Sequence, residues 1–131
     1  MLKDDLYVIL GLEHTRQVIN ATIQLDATHT IFAGHFPGQP VLPGVCMMQM
    51  VREVLETALG KRLRLVKAAN IKFIALVTPS TTPLHIQLSY SVDENVKVKA
   101  VIIATDTLSF KADISYTSSH PAYETPRPGR C

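Results

Sequence analysis

The chain has 131 residues, 47% hydrophobic and 18% charged, with a formal net charge of +2, which suits one domain around a single packed core. That charge is too mild to point to nucleic acid, and no aromatic-basic cluster offers a stacking platform for bases. No apolar run approaches the roughly 20 residues that cross a bilayer, so no membrane span is expected.

The first ten residues, MLKDDLYVIL, carry two acids and too short an apolar stretch for a secretory leader. The first expected strand is 19–25, where Ile19, Ala21, Ile23 and Leu25 alternate with Asn20, Thr22, Gln24 and Asp26. A loop follows that holds three prolines and three glycines within residues 34–44. It is stiff at its prolines and free to adopt unusual backbone angles at its glycines. It delivers one titratable side chain, His35, just ahead of a helix.

That helix is expected over about 44–59, with Pro43 at its entrance and Gly60 at its exit. Arg52 and Glu56 form an i,i+4 pair on its wetter side. Residues 45–51 are apolar nearly all round, so this turn must be enclosed. Residues 63–77 read as one long bent strand. Three further strands alternate from Leu84 to Val92, Val96 to Ala104 and Leu108 to Tyr116. Short polar breaks at 93–95 and 105–107 make them an antiparallel meander. The tail after Tyr116 is proline-rich and poor in apolar residues, so the domain is placed at 1–117 and a disordered tail at 118–131. One enclosed helix with five or six antiparallel strands wrapped round it is an α+β, hot-dog architecture, although other α+β folds share this periodicity.

The chemistry lies between the loop and the helix. Free N–H groups at a helix start carry partial positive charge and can hold a carbonyl oxygen that becomes negative during reaction. Imidazole titrates near pH 6.5 and can accept a proton at neutral pH. Together they suit proton abstraction beside a thioester carbonyl. Among the other polar groups, His14, His29, His85 and His120 are expected to be solvated. Cys46 reads as a small packed core residue, and Cys46 with Cys131 makes no disulfide framework, which points to the reducing cytoplasm.

The run 34–45, GHFPGQPVLPGV, resembles the signature GHFPGxPxxPGV of the 3-hydroxyacyl-acyl carrier protein dehydratases. A weaker likeness extends to KFIALVTP at 72–79, and in outline to residues 5–117. The resemblance implies a hot-dog homodimer, or a higher oligomer built from dimers, with an acyl tunnel. It implies no metal and no loose cofactor, because the substrate rides on the phosphopantetheine of an acyl carrier protein. By this resemblance His35 is the catalytic base, Gly44 and Val45 hold the thioester oxygen, and Phe36, Pro37 and Gly38 shape the site loop. Phe32 and Met48 are expected along the acyl tunnel. The family places a carboxylate fourteen residues after the histidine, supplied by the neighbouring subunit; that position here is Gln49. A glutamine can orient the leaving hydroxyl but cannot protonate it. Glu53, one turn on, is the alternative acid. The basic group Lys61, Arg62, Arg64, Lys67 and Lys72 is either a solvated edge or a dock for the acidic carrier protein. The expected reaction is dehydration of 3-hydroxyacyl thioesters to trans-2-enoyl thioesters in fatty acid or related lipid or polyketide synthesis. The alternatives are a hot-dog acyl thioesterase and a catalytically weak subunit that binds acyl carrier protein.

Overall fold

Proline and glycine bound the long helix as the sequence reading expects. The computed structural model describes residues 1–33, 40–80 and 82–118. His35, Phe36, Pro37 and Gly38, like His120 and Cys131, lie outside the described residues. Helix α1 spans Gly44–Leu59 with Pro43 as its N-cap residue in an extended conformation. Gly60 ends it in the left-handed region (φ 67°), donating its N–H to the Glu56 carbonyl at 2.9 Å. A side chain there would be strained, which is why glycine stops the helix at this point.

Six strands form one antiparallel sheet: β1 (Tyr7–Thr15), β2 (Val18–Leu25), β3 (Leu63–Phe73), β4 (Leu84–Val92), β5 (Val96–Ala104) and β6 (Thr107–Ser118). Their order is β1-β2-β4-β5-β6-β3, so β4, β5 and β6 are the expected meander and β1 and β3 are the edges. The sheet wraps round α1 in the hot-dog arrangement. Ile19, Ile23, Ile86, Leu88 and Ile102 on the sheet and Met50, Val51, Val54 and Leu55 on the helix are almost wholly shielded from water. Each such aliphatic side chain contributes about 1.5–3 kcal/mol on burial. A helix apolar nearly all round is stable only inside such a wrap.

Several local expectations change. β1 was not foreseen. Its burial does not alternate cleanly, and its register with β2 slips between Ile9 and Gly11, so the period-two signal is broken. The long strand from 63 ends at Phe73 rather than 77, because the N–H groups of Ile74 and Ala75 both turn to the Ser109 carbonyl. In β6 the alternation fails at its start: Leu108 is exposed and Ser109 is buried, next to a register slip at Ile102/Ile103. Ser118 still pairs with Leu63, so the ordered strand runs one residue past the expected boundary.

The Arg52–Glu56 pair does not form among the described residues; the Glu56 carboxylate accepts from the Leu63 N–H at 2.8 Å and so ties the helix end to β3. Cys46 is fully buried, as expected, but is disulfide-bonded rather than a free thiol. A bonded Cys46 does not fit the expectation of reduced thiols. Among the described residues no helix is long and apolar enough to cross a membrane.

Candidate active site

One face of α1 is turned away from the core and opens onto a cleft of about 190 Å³, lined by Val45, Met48, Gln49 and Arg52 with Leu65 of β3 and Tyr116 of β6. Residues 45, 49 and 52 fall on one helix face at three- and four-residue spacing, with 48 beside them, so the helical repeat alone brings them together. The two strand residues arrive only through the sheet, since β3 and β6 are hydrogen-bonded neighbours with Leu65 opposite Tyr116. The wall is apolar at Val45, Met48 and Leu65, and Val45 is 60% exposed at the mouth.

At the helix start, Pro43 offers no side-chain cap. Its carbonyl accepts from the N–H groups of Cys46 and Met47, at 3.1 and 3.3 Å. The N–H groups of Gly44 and Val45 have no acceptor among the described residues. Uncapped first-turn N–H groups of this kind are donors left for water or a ligand. Gly44 also admits the Phe73 ring: a β-carbon at position 44 would lie 2.7 Å from ring atoms of Phe73. Glycine therefore lets the end of β3 close over the helix start.

Gln49 is held in place by Glu53. Its Nε2 donates to Glu53 Oε2 at 2.9 Å, one helical turn away. A carboxylate only accepts, so this contact fixes which way the amide faces and leaves Oε1 as an acceptor for a ligand. Glu53 itself is completely buried. It also accepts from the backbone N–H groups of Leu2 and Lys3, at 2.9 and 2.8 Å, and from the Tyr7 hydroxyl at 2.9 Å. Burial, and then the Glu53 carboxylate, push the Tyr7 phenol well above the usual range. Every contact of Glu53 is thus a donor aimed at it. The carboxylate anchors the N-terminal segment to α1 and orients Gln49, and it has no hydrogen to offer a leaving hydroxyl in this arrangement. The sequence contains no cue for this role, because two of the partners are main-chain groups.

Among the described residues, Arg52 Nε and the Tyr116 hydroxyl on the cleft wall are both buried without a hydrogen bond. Burial pushes the Tyr116 phenol upward, Arg52 pulls it down and Glu56 adds to the rise. Phe32 sits on a single 3-10 turn, Thr30–Phe32, buried in the core rather than on this cleft. Of the histidines expected in solvent, His14 and His85 are exposed and His29 is half-buried: His29 Nδ1 accepts from the Ile31 N–H and its Nε2 lies 3.2 Å from Asp5. His14 Nε2 meets the Tyr90 hydroxyl at 2.6 Å, and His85 Nδ1 lies 3.4 Å from Thr22 Oγ1. Lys61, Arg62, Arg64, Lys67 and Lys72 are all exposed.

The family model for ApeI dehydratase, ApeI-like, matches residues 12–119. The chain is 28% identical over 111 residues to the 3-hydroxyacyl-[acyl-carrier-protein] dehydratase FabZ of Lactobacillus helveticus, covering 79% of this chain and 75% of that one. It is 32% identical over 87 residues to an uncharacterized thioester dehydrase of Halalkalibacterium halodurans, covering 58% of this chain and 54% of the relative, so the match spans about half of that protein. Among solved structures, the dehydratase heterocomplex ApeI:P from Xenorhabdus doucetiae superposes with a TM-score of 0.69 at 22% identity, over 84% of this chain and 96% of that one. A hypothetical thioesterase from Streptococcus pneumoniae with coenzyme A superposes with a TM-score of 0.62 at 10% identity, over 89% and 91% of the two chains. At these identities the superpositions speak for the fold.

Proposed function

This chain belongs to the ApeI-like dehydratase family, and from that premise we propose that it removes water from a 3-hydroxyacyl thioester carried on an acyl carrier protein, giving the trans-2-enoyl thioester. The observation that carries the reading is the arrangement along α1: N–H groups at Gly44 and Val45 that have no acceptor among the described residues, then the Gln49 amide oriented by Glu53, beside one largely apolar cleft. In this scheme the thioester oxygen rests on the N–H groups of Gly44 and Val45, where the helix start stabilises the negative charge that develops. His35, in the loop of Phe36, Pro37 and Gly38, takes the proton from carbon 2. The electron pair of that C–H bond becomes the new double bond as the bond from carbon 3 to oxygen breaks. Gln49 Oε1 accepts from the substrate hydroxyl and holds it. The proton on His35 passes to the departing oxygen, so the products are the enoyl thioester and one water. Met48 borders the path of the acyl chain.

A dimer completes the scheme, with His35 of one protomer facing Gln49 of the other. Support comes from β3, an edge strand that leaves Leu65, Val66 and Phe73 about half exposed. The exposed Lys61, Arg62, Arg64, Lys67 and Lys72 suit the acidic carrier protein, and the cytoplasm is the proposed location. Because the Xenorhabdus relative is described as a heterocomplex and Gln49 cannot donate a proton as an acid does, a second reading is a weakly catalytic subunit paired with an active paralogue.

The test is an assay of wild-type and His35→Ala protein on a 3-hydroxyacyl thioester, reading enoyl formation and thiol release separately. Dehydration lost in the variant supports the proposal. Thiol release without enoyl product would favour a thioesterase. Neither reaction, with carrier protein still bound, would favour the subunit reading.

A further inference from the structure

The cleft carries more polar equipment than the dehydration scheme uses. Tyr116 is 1% exposed, yet its hydroxyl has no hydrogen-bond partner among the described residues, and neither has the buried Nε of Arg52. Buried polar atoms in proteins are overwhelmingly paired, so each orphan calls for an explanation. These two stand on the wall of the same cleft, beside Gln49. Building on the dehydratase reading, we propose that this corner recognises a second oxygen on the acyl chain, a neutral hydroxyl or keto group beyond the reacting carbon.

The chemistry selects that ligand. Arg52 Nε is a donor only, while a phenol hydroxyl donates or accepts, so an oxygen atom satisfies both. A neutral oxygen suits the corner better than an anion. Glu56 acts on Tyr116 from the same neighbourhood as Arg52, and the Glu53 carboxylate adjoins Gln49, so two carboxylates already stand near the corner and disfavour a further anion. The rest of the wall, Val45, Met48 and Leu65, is apolar and fits carbon. A space of about 190 Å³ holds roughly six water-sized volumes, enough for a short stretch of chain with one oxygen. The order along the helix is also suitable. Gly44 would hold carbon 1 and Gln49 the hydroxyl on carbon 3. Arg52 lies about 4.5 Å further along the axis from Gln49, at the helical rise per residue.

The experiment uses the full-length protein and a series of 3-hydroxyacyl thioesters. In the series one hydroxyl or keto oxygen is walked along the chain beyond carbon 3, with the unsubstituted chain as reference. The wild type is expected to prefer one member by about tenfold or more in kcat/KM, the worth of a hydrogen bond to a charged donor. Tyr116→Phe and Arg52→Met should each reduce that ratio toward one. Tyr116→Phe should not lower Tm, because it removes a hydroxyl that is unpaired when the site is empty. Ligand-induced Tm shifts with the same series form a second arm that needs no turnover. If no chain is dehydrated but the oxygenated member still shifts Tm more, the corner stands and the dehydratase reading falls. No preference in either arm overturns the proposal, as does a preference that survives both substitutions. A Tyr116→Phe variant that loses stability together with self-association also overturns it, since the hydroxyl would then be paired by a second copy.

Discussion

Glu53 and Gln49 share one hydrogen bond, and the two residues respond to substitution in different ways. Removing the Glu53 carboxylate strips the acceptor from the Leu2 and Lys3 N–H groups, the Tyr7 hydroxyl and the Gln49 amide at once. Two of these donors, the Leu2 N–H and the Tyr7 hydroxyl, are too buried to find water. Glu53→Ala should cost on the order of 3–5 kcal/mol, the range for a broken buried network, read by chemical denaturation. A loss below about 1 kcal/mol would mean that the N-terminal segment is not held by this residue. Gln49→Glu puts a second carboxyl within hydrogen-bond reach of Glu53. Like charges that close cannot both persist, so the pair must hold a proton between them. Glu53 accepts three other hydrogen bonds that favour its ionised form, so the proton rests on the new side chain, a carboxylic acid able to donate to a leaving hydroxyl. General acid assistance is worth about 10²–10⁴ in rate, so the variant should dehydrate faster than the wild type. A slower variant from an already fast parent would mean that glutamine is adapted to this reaction.

At the scale of elements, the β5–β6 turn is the place where local chemistry and backbone disagree. Ala104 pairs with Thr107, so only Thr105 and Asp106 make the turn, and both have positive φ, 48° and 61°. Two such residues in succession are the mark of a turn that matches the twist of a hairpin and favours Asn-Gly. A β-branched threonine there carries a steric cost that asparagine, which has no branch at its β-carbon, relieves. The double substitution Thr105→Asn, Asp106→Gly should stabilise the fold by about 1 kcal/mol, raising Tm by roughly 3–5 °C. The turn contributes no residue to the cleft, whose nearest member along the chain is Tyr116 at the far end of β6, so enoyl formation should be unaffected. No gain in Tm would show that the turn is set by its strands rather than by its own residues.

For the whole molecule, the informative region is the open side of β3. Leu65, Val66, Ile71, Phe73, Ile74 and Leu76 are each more than a third exposed, Leu76 at 71%. A long apolar edge is a template for joining another strand, and soluble proteins cover such edges. Covering it with a second copy also closes the cleft beside Leu65. Sedimentation at micromolar concentration should therefore give a dimer or a multiple of it. Placing lysines at Val66 and Ile71 sets like charges across the joint and should weaken association at least about tenfold, a cost of about 1.4 kcal/mol. A wild-type monomer under the same conditions would remove the homodimer and leave the paralogue as the partner for this edge.

The limits of the helix were legible because they depend on neighbours in the chain: proline cannot continue a ladder upstream, and glycine alone enters the left-handed region cheaply. The same holds for β2, β4 and β5, whose period-two alternation records which face meets the helix. The spacing that gathers Val45, Met48, Gln49 and Arg52 was equally present, since a helical face is a property of one segment. The motif round His35 named a chemistry, and its residues fall outside the described ones. What the tertiary structure decided was everything that joins distant segments. Tyr116 and Leu65 reach the cleft by strand pairing, and Glu53 finds main-chain N–H groups some fifty positions away. Glu56 leaves its helical partner Arg52 for the Leu63 amide. A main-chain amide has the same identity at nearly every position, so no residue type announces that it will be the partner of a buried carboxylate. Only packing, by excluding water from that carboxylate, determines which amides it must bind.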